Sequence, residues 1–224
     1  MANPKTKAAP LPLVIWGASG HARVIADIVR LTANFNIVGF LDDIDLGRKG
    51  TEFCGAKILG GREQLEYLRN KKIGHLILAF GNCQARLALS SISSQFGFEL
   101  ATAIHPDAII ARDISIGAGT VIMAGAVINP GSTIMNNAII NTSSSIDHDC
   151  RIENGVHVGP GAHLGGGVSV GEGTWIGIGA VIKDKIKIGK RAIIGAGAVV
   201  LKDIPDEVVA FGVPAEVKRK VEKW

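Results

Sequence analysis

Residues 121–158 read VIMAGAVINPGSTIMNNAIINTSSSIDHDCRIENGVHV, and a large aliphatic stands at every sixth place: Ile122, Ile128, Ile134, Ile140, Ile146, Ile152 and Val158. Stepping by six in both directions extends the series from Ile104 to Val200, seventeen positions without a slip. Four residues after each, from Ala108 to Ala198, comes a small or medium residue in 14 of 16 cases, with Ile114 and Ile186 the exceptions. A period of six is neither the 3.6 of a helix nor the alternation of a lone strand. It fits a coil of flat faces, one hexad to a face, with the aliphatic and the small residue turned inward. Three hexads per coil give a turn of about 18 residues that rises by the ordinary strand spacing of about 4.8 Å.

Glycine often follows the aliphatic directly, at positions 117, 159, 165, 171, 177, 189 and 195. A tight turn there would need the backbone freedom of glycine. Solenoid ends expose unpaired strand edges and need covers. The segment before the repeat is expected to sit on the first coil, and Pro214 to Lys223 is expected to form a short closing helix.

Upstream, from Leu11 to about Ile104, short apolar runs (LPLVIWG, NIVGFLDD, HLILAF, ELATAI) alternate with helical stretches (HARVIADIVRLTA, REQLEYLRN, NCQARLALSSISSQF). Continuous apolar runs separated by helices predict a small doubly wound α/β domain. The expected organisation is a flexible tail at 1–10, the α/β domain at 11–103, a β-solenoid at 104–203 and a C-terminal loop and capping helix at 204–224.

Composition narrows the function. The 24 basic and 20 acidic residues give a formal charge of +4, with no long basic block and no interleaved aromatics, so nucleic-acid binding is not expected. No run of 18 apolar residues suggests a membrane span, and the N-terminal segment, interrupted by Pro12, does not read as an export signal. Three scattered cysteines form neither a disulfide framework nor a CxxC zinc pair and fit a reducing cytoplasm.

Two stretches carry chemistry. In VIWGASGHARVIADIV, Gly17, Ser19, Gly20 and His21 lie between the first strand and helix, and GFLDD places Asp42 and Asp43 at the end of the second strand. Such a turn suits a nucleotide diphosphate, with the acidic residues toward ribose or base. Ser19 replaces the middle glycine of a dinucleotide fingerprint, so the turn does not single out NAD, and a plain strand-to-helix turn is the alternative to nucleotide binding. Asn82, in AFGNCQAR, sits at the corresponding sheet edge as a ligand contact or a helix cap.

In NTSSSIDHDC (141–150) the hexad register turns Ser144 and Cys150 inward and His148 outward, between Asp147 and Asp149. An outward histidine beside a carboxylate has the make-up of a general base. His157 and His163 fall on successive faces, so they are not expected to share a metal within one chain.

From GASGHA and LDD through the His-Asp pair to GVPA, the chain resembles the nucleotide-sugar acetyltransferases among the hexapeptide-repeat acyltransferases. The resemblance implies a left-handed β-helix, a handedness that the period alone does not fix, since most parallel crossovers are right-handed. It implies His148 as base with Asp149 orienting it. It also implies acetyl-CoA contacted by His157 and lying along the coils near Gly166, Lys202, Gly212 and Pro214, and a homotrimer with sites between neighbouring helices. The expected reaction is N-acetylation of a nucleotide-linked amino sugar, a 4-amino-4,6-dideoxy sugar, without a metal, in glycan biosynthesis. Transfer to a sugar hydroxyl such as that of a sialic acid stays open, as does a non-catalytic nucleotide-sugar scaffold.

Overall fold

The computed structural model describes residues 9–222; most of the expected N-terminal tail and the end of the expected closing helix lie outside the described residues. The α/β domain contains β1 (Leu11–Trp16), α1 (Gly20–Thr32), β2 (Phe35–Leu41), β3 (Glu52–Phe53), β4 (Ala56–Gly60), α2 (Leu65–Asn70), β5 (His75–Leu78), α3 (Cys83–Gln95) and β6 (Glu99–Leu100). Its sheet runs β3-β4-β2-β1-β5-β6. All neighbours pair in parallel except β3 with β4. The alternation along β1 explains the layering. Leu13 and Ile15 join the core under Ile25, Ile28 and Val29 of α1, while Val14 and Trp16 face Leu65, Leu68 and Leu89 from α2 and α3. The β3–β4 hairpin lies in a glycine-rich, charged stretch that carries too short an apolar run to be read as strands.

Seventeen two-residue strands follow, from β7 (Ala103–Ile104) to β23 (Val199–Val200). They stack into three parallel sheets, and each strand pairs with the third one along, so that Val121 meets Ile139, Ile139 meets His157, His157 meets Trp175 and Trp175 meets Ile193. The coil therefore advances by 18 residues, as the hexads require. The repeat aliphatics and the small residues four places on form one continuous buried column. Where the small residue is a hydroxyl it ties coils together: Ser132 Oγ donates to Asp147 O at 2.8 Å and accepts from Cys150 N at 3.0 Å.

Three expectations are corrected. The turn backbone with positive φ falls three residues after the aliphatic, at every turn from Gly119 to Gly197, not directly after it. The glycines that follow the aliphatic answer to close approach instead: a Cβ on Gly165 would stand 2.7 Å from Asp184 N in the next coil. The α/β domain lies across the outer face of the first sheet rather than only on the first coil. Ala103, Val121 and Ile139 point outward there and are buried against Ala22, Ile25 and Val29 of the domain.

The third correction is the closing helix, which is a strand. β24 (Val208–Gly212) pairs in parallel with β22 (Ile193–Ile194), and β25 (Ala215–Lys220) turns back antiparallel to β24. A hairpin satisfies the open edge that the last coil presents, and the alternation of Ala215 and Val217 with Glu216 and Lys218 suits a strand better than a helix.

Candidate functional site

His148 occupies the turn between the second and third faces, with its side chain 61% exposed. Its neighbours hold it. Asp149 Oδ2 lies 2.8 Å from Nδ1, and since a carboxylate only accepts, Nδ1 carries the proton and Nε2 is left as the free acceptor. Asp147 Oδ1 accepts from His148 N at 2.7 Å and from Asn129 Nδ2 at 2.9 Å. The bond to Asp149, then the charge of Asp147, raise the His148 pKa above the usual imidazole value. Asp149 has φ of 59°, a conformation that Asp tolerates better than most residues.

Gly165, Gly166 and Gly167 lie one coil above this turn, where Gly167 N donates to His148 O at 2.8 Å. Gly166, which the resemblance places near acetyl-CoA, lies directly against the His148 ring. Lys202, two coils above Gly166, lies with Pro214 and Glu216 along a separate groove of about 330 Å3 against the closing hairpin. Gly212 ends β24, at the start of the loop that leads to Pro214.

His157 sits elsewhere, at the seam between the domains, and is buried. Gly81 O lies 3.0 Å from Nδ1, so Nδ1 donates; Nε2 therefore accepts from Asn141 Nδ2 at 3.0 Å. Burial pushes its pKa down to about 4, against the opposing bond to Gly81. His157, Gly81, Asn82, Cys83, Gly173 and Trp175 line a pocket of about 300 Å3. The His21 ring lies 6.5 Å from that of His157. Burial, helped by the nearby charges of Arg86 and His157, lowers the His21 pKa to about 3, and its Nε2 is buried without a partner among the described residues.

The glycine turn is brought to the same seam. Gly17 has φ of 127°, and a Cβ on it would meet Ala79 O at 2.8 Å, so its glycine is explained by the packing of β1 on β5. Ser19 is the exposed N-cap of α1 but its side chain caps nothing, and the space around Gly20 is open. The first N–H groups of α1 are thus free to receive an anion. Asn82 caps α3, accepting from Ala85 N at 2.8 Å, while it also lines the pocket.

Asp42 and Asp43 are already engaged. Asp42 accepts from Ile44 N and Asp45 N and pairs with Arg48 at 2.7 Å, and Arg48 also donates to Ala18 O. Asp43 accepts from Trp16 Nε1 and pairs with Arg62. They shape the loop beside the glycine turn rather than offering bare carboxylates. Sequence reasoning gave no role to Asn141; the 18-residue coil that pairs Ile139 with His157 is the signal that would have placed it next to that histidine.

Comparison with known proteins adds the following. Residues 12–92 match the PglD N-terminal domain, and residues 167–202 match the bacterial transferase hexapeptide (six repeats). A mutant perosamine N-acetyltransferase from Caulobacter crescentus, solved with CoA and GDP-perosamine, is 38% identical, with 92% of this chain and 96% of that one covered and a TM-score of 0.88. The acetyltransferase domain of PglB from Neisseria gonorrhoeae, solved with acetyl coenzyme A, is 35% identical over 93% of this chain and 100% of that one, with a TM-score of 0.86. UDP-N-acetylbacillosamine N-acetyltransferase of Bacillus subtilis is 37% identical over 115 residues. That alignment takes in 50% of this chain and 51% of the relative, so the chain spans about half the length of this curated relative. Among the described residues no helix is long and apolar enough to cross a membrane. The chain, an α/β domain joined to a left-handed hexapeptide β-helix, belongs to the family of nucleotide-sugar N-acetyltransferases.

Proposed function

We propose that the protein transfers the acetyl group of acetyl-CoA to the amine of a nucleotide-linked 4-amino-4,6-dideoxy sugar, with His148 as general base. The observation that carries this reading is the His148–Asp149 pair, an exposed imidazole whose proton is fixed on Nδ1 and whose Nε2 is bare. The sugar nitrogen attacks the thioester carbon while Nε2 takes a proton from it; the C–N bond forms, the C–S bond breaks, and CoA leaves as a thiolate that His148 can reprotonate. Asp149 steadies the imidazolium. Base catalysis of this kind contributes roughly 100- to 10,000-fold, and holding both substrates together contributes more. No acyl-enzyme is needed, and Cys150 and Ser144 are buried.

The free N-terminus of α1 at Ser19 and Gly20, with the unpartnered Nε2 of His21, supports binding of the nucleotide sugar by the α/β domain. The groove at Lys202 and Pro214 supports binding of acetyl-CoA, with Lys202 toward its phosphates. Exposed Ile109 and Val181 on the second face support packing of three copies side by side. Three unpaired cysteines support a cytoplasmic setting.

The test is thiol release from acetyl-CoA with GDP- and UDP-linked 4-amino sugars and with free sialic acid. Turnover with an amino sugar that disappears in a folded His148→Ala variant supports the reading. Turnover with sialic acid alone replaces it with O-acetylation, and no turnover with any acceptor leaves a nucleotide-sugar scaffold.

A further inference from the structure

Arg86 is a fully buried guanidinium. A charge in such a place normally requires a carboxylate partner. Arg86 instead spends its donors on four backbone carbonyls: Nη1 on Leu78 O at 2.5 Å and Phe80 O at 3.4 Å, Nε on Asn137 O at 3.1 Å, and Nη2 on Gly119 O at 2.8 Å. Two of these belong to the end of β5 as it runs into Gly81. The other two belong to successive coils of the β-helix.

The helix that carries it follows the same column of turns. Gly119, Asn137, Gly155 and Gly173 all have positive φ and succeed one another every 18 residues. Arg86 bonds the first two. Leu87 packs on the third, where a Cβ on Gly155 would meet Leu87 Cγ at 2.7 Å. Asn137 Nδ2 donates to Ser90 Oγ at 2.9 Å, and Cys83 Sγ lies 3.6 Å from Thr174 O.

The geometry assigns Arg86 as a positioning residue: its planar fork sets the distance between the Gly81–Cys83 turn of the α/β domain and the His157–Trp175 wall of the β-helix, and so the width of the pocket between them. A guanidinium holds several carbonyls in fixed directions, which a lysine ammonium does not. This inference rests on the nucleotide-sugar binding proposed for the α/β domain and extends that site to this adjoining pocket, where the His21 ring lies 6.5 Å from that of His157, in place of the acetyl-CoA contact that the resemblance implied for His157. It predicts an effect on the sugar and none on acetyl-CoA.

The test compares Arg86→Lys and Arg86→Gln with Leu87→Ala, which loosens the same helix without touching β5. Circular dichroism and Tm report the fold, and KM is measured for acetyl-CoA and for whichever of GDP-perosamine or a UDP-linked 4-amino sugar the wild type turns over. In the Arg86 variants the sugar KM should rise roughly 10-fold or more while that of acetyl-CoA stays within about two-fold, since displacements of about 1 Å at a binding wall have effects of this order. Leu87→Ala should lower Tm and leave both KM values unchanged. The inference is overturned if the Arg86 variants change neither KM or both alike, or if Leu87→Ala reproduces their effect.

If the wild type turns over neither sugar, the proposed N-acetylation of an amino sugar fails and amide hydrogen exchange judges Arg86 separately. Faster exchange at residues 79–85, with the coils unchanged, supports its role; unchanged exchange there overturns it. If neither Arg86 variant folds, the wild type decides: slow exchange at 79–85, matching the solenoid strands, supports the inference and fast exchange overturns it.

Discussion

Gly166 lies against the ring of His148 so closely that a Cβ on it would stand 2.6 Å from Nε2. The glycine is there for the histidine above any need of its own backbone, since its φ is not among the positive ones. Gly166→Ala should therefore swing the exposed ring away from its place and lower kcat by about 100-fold, the usual penalty for a misplaced catalytic group. Tm should barely move, because the ring has solvent to turn into. A kcat within about two-fold of wild type would show that the ring does not work from this position.

Asp149→Asn tests the other side of the ring. Asparagine keeps the left-handed backbone at 149 accessible, so the turn should hold. A base must be neutral to act, so kcat/KM of the wild type should climb with pH through the raised pKa of His148. Removing the carboxylate removes the largest cause of that rise, and the acid limb of the profile should shift to lower pH. The plateau should also fall, since the amide no longer dictates which nitrogen carries the proton. An acid limb that stays where it was would separate Asp149 from the base.

The β-helix was legible because its code is local: one aliphatic in six, with a small residue four later, states which side chains go in and which go out. That same register placed His148, Asp147 and Asp149 outward and Ser144 and Cys150 inward, as the structure has them. What lay beyond the sequence was tertiary. The seat of the α/β domain on the outer face of the first sheet depends on outward residues Ala103, Val121 and Ile139, which are apolar for a reason that no hexad rule contains. Arg86 carried no signal of its own in the sequence, because two of its four carbonyl partners lie 33 and 51 residues away. The seven glycines that directly follow an aliphatic suggest turn freedom in the sequence, and only the stacked coils show that they make room for the next coil.

The two buried histidines at the domain seam make stability depend on pH. Both have folded pKa values below the usual imidazole value, His157 about 4 and His21 about 3, so between those values and 6.5 the unfolded chain binds more protons than the folded one. Stability should be full above about pH 6.5 and fall as the pH drops toward 4, by at most about 1.4 kcal/mol per pH unit for each proton taken up. Urea midpoints from pH 7.5 to 4.5 measure the slope. His157→Gln, which retains a donor for Gly81 O and an acceptor for Asn141, should flatten the curve; an unchanged slope would place the titrating groups elsewhere.

Two glycines in the solenoid should respond to substitution in opposite ways. Gly165 has an ordinary φ, but a Cβ there meets Asp184 N at 2.7 Å and Ile182 O at 3.2 Å, backbone atoms that cannot move without opening the coil. Gly165→Ala should lower stability by about 1–3 kcal/mol, the range for overpacking a tight site. Gly179 is the reverse case, with φ of 65° and nothing within 4 Å of a Cβ. Alanine there meets only the left-handed backbone penalty of about 1–2 kcal/mol. Asparagine should relieve most of it, since Asn137 already occupies the same turn position with φ of 59°. Thermal midpoints of Gly165→Asn and Gly179→Asn should therefore separate, with the first well below wild type and the second close to it. Equal losses at the two sites would mean that backbone freedom, rather than the approach of the next coil, is what Gly165 supplies.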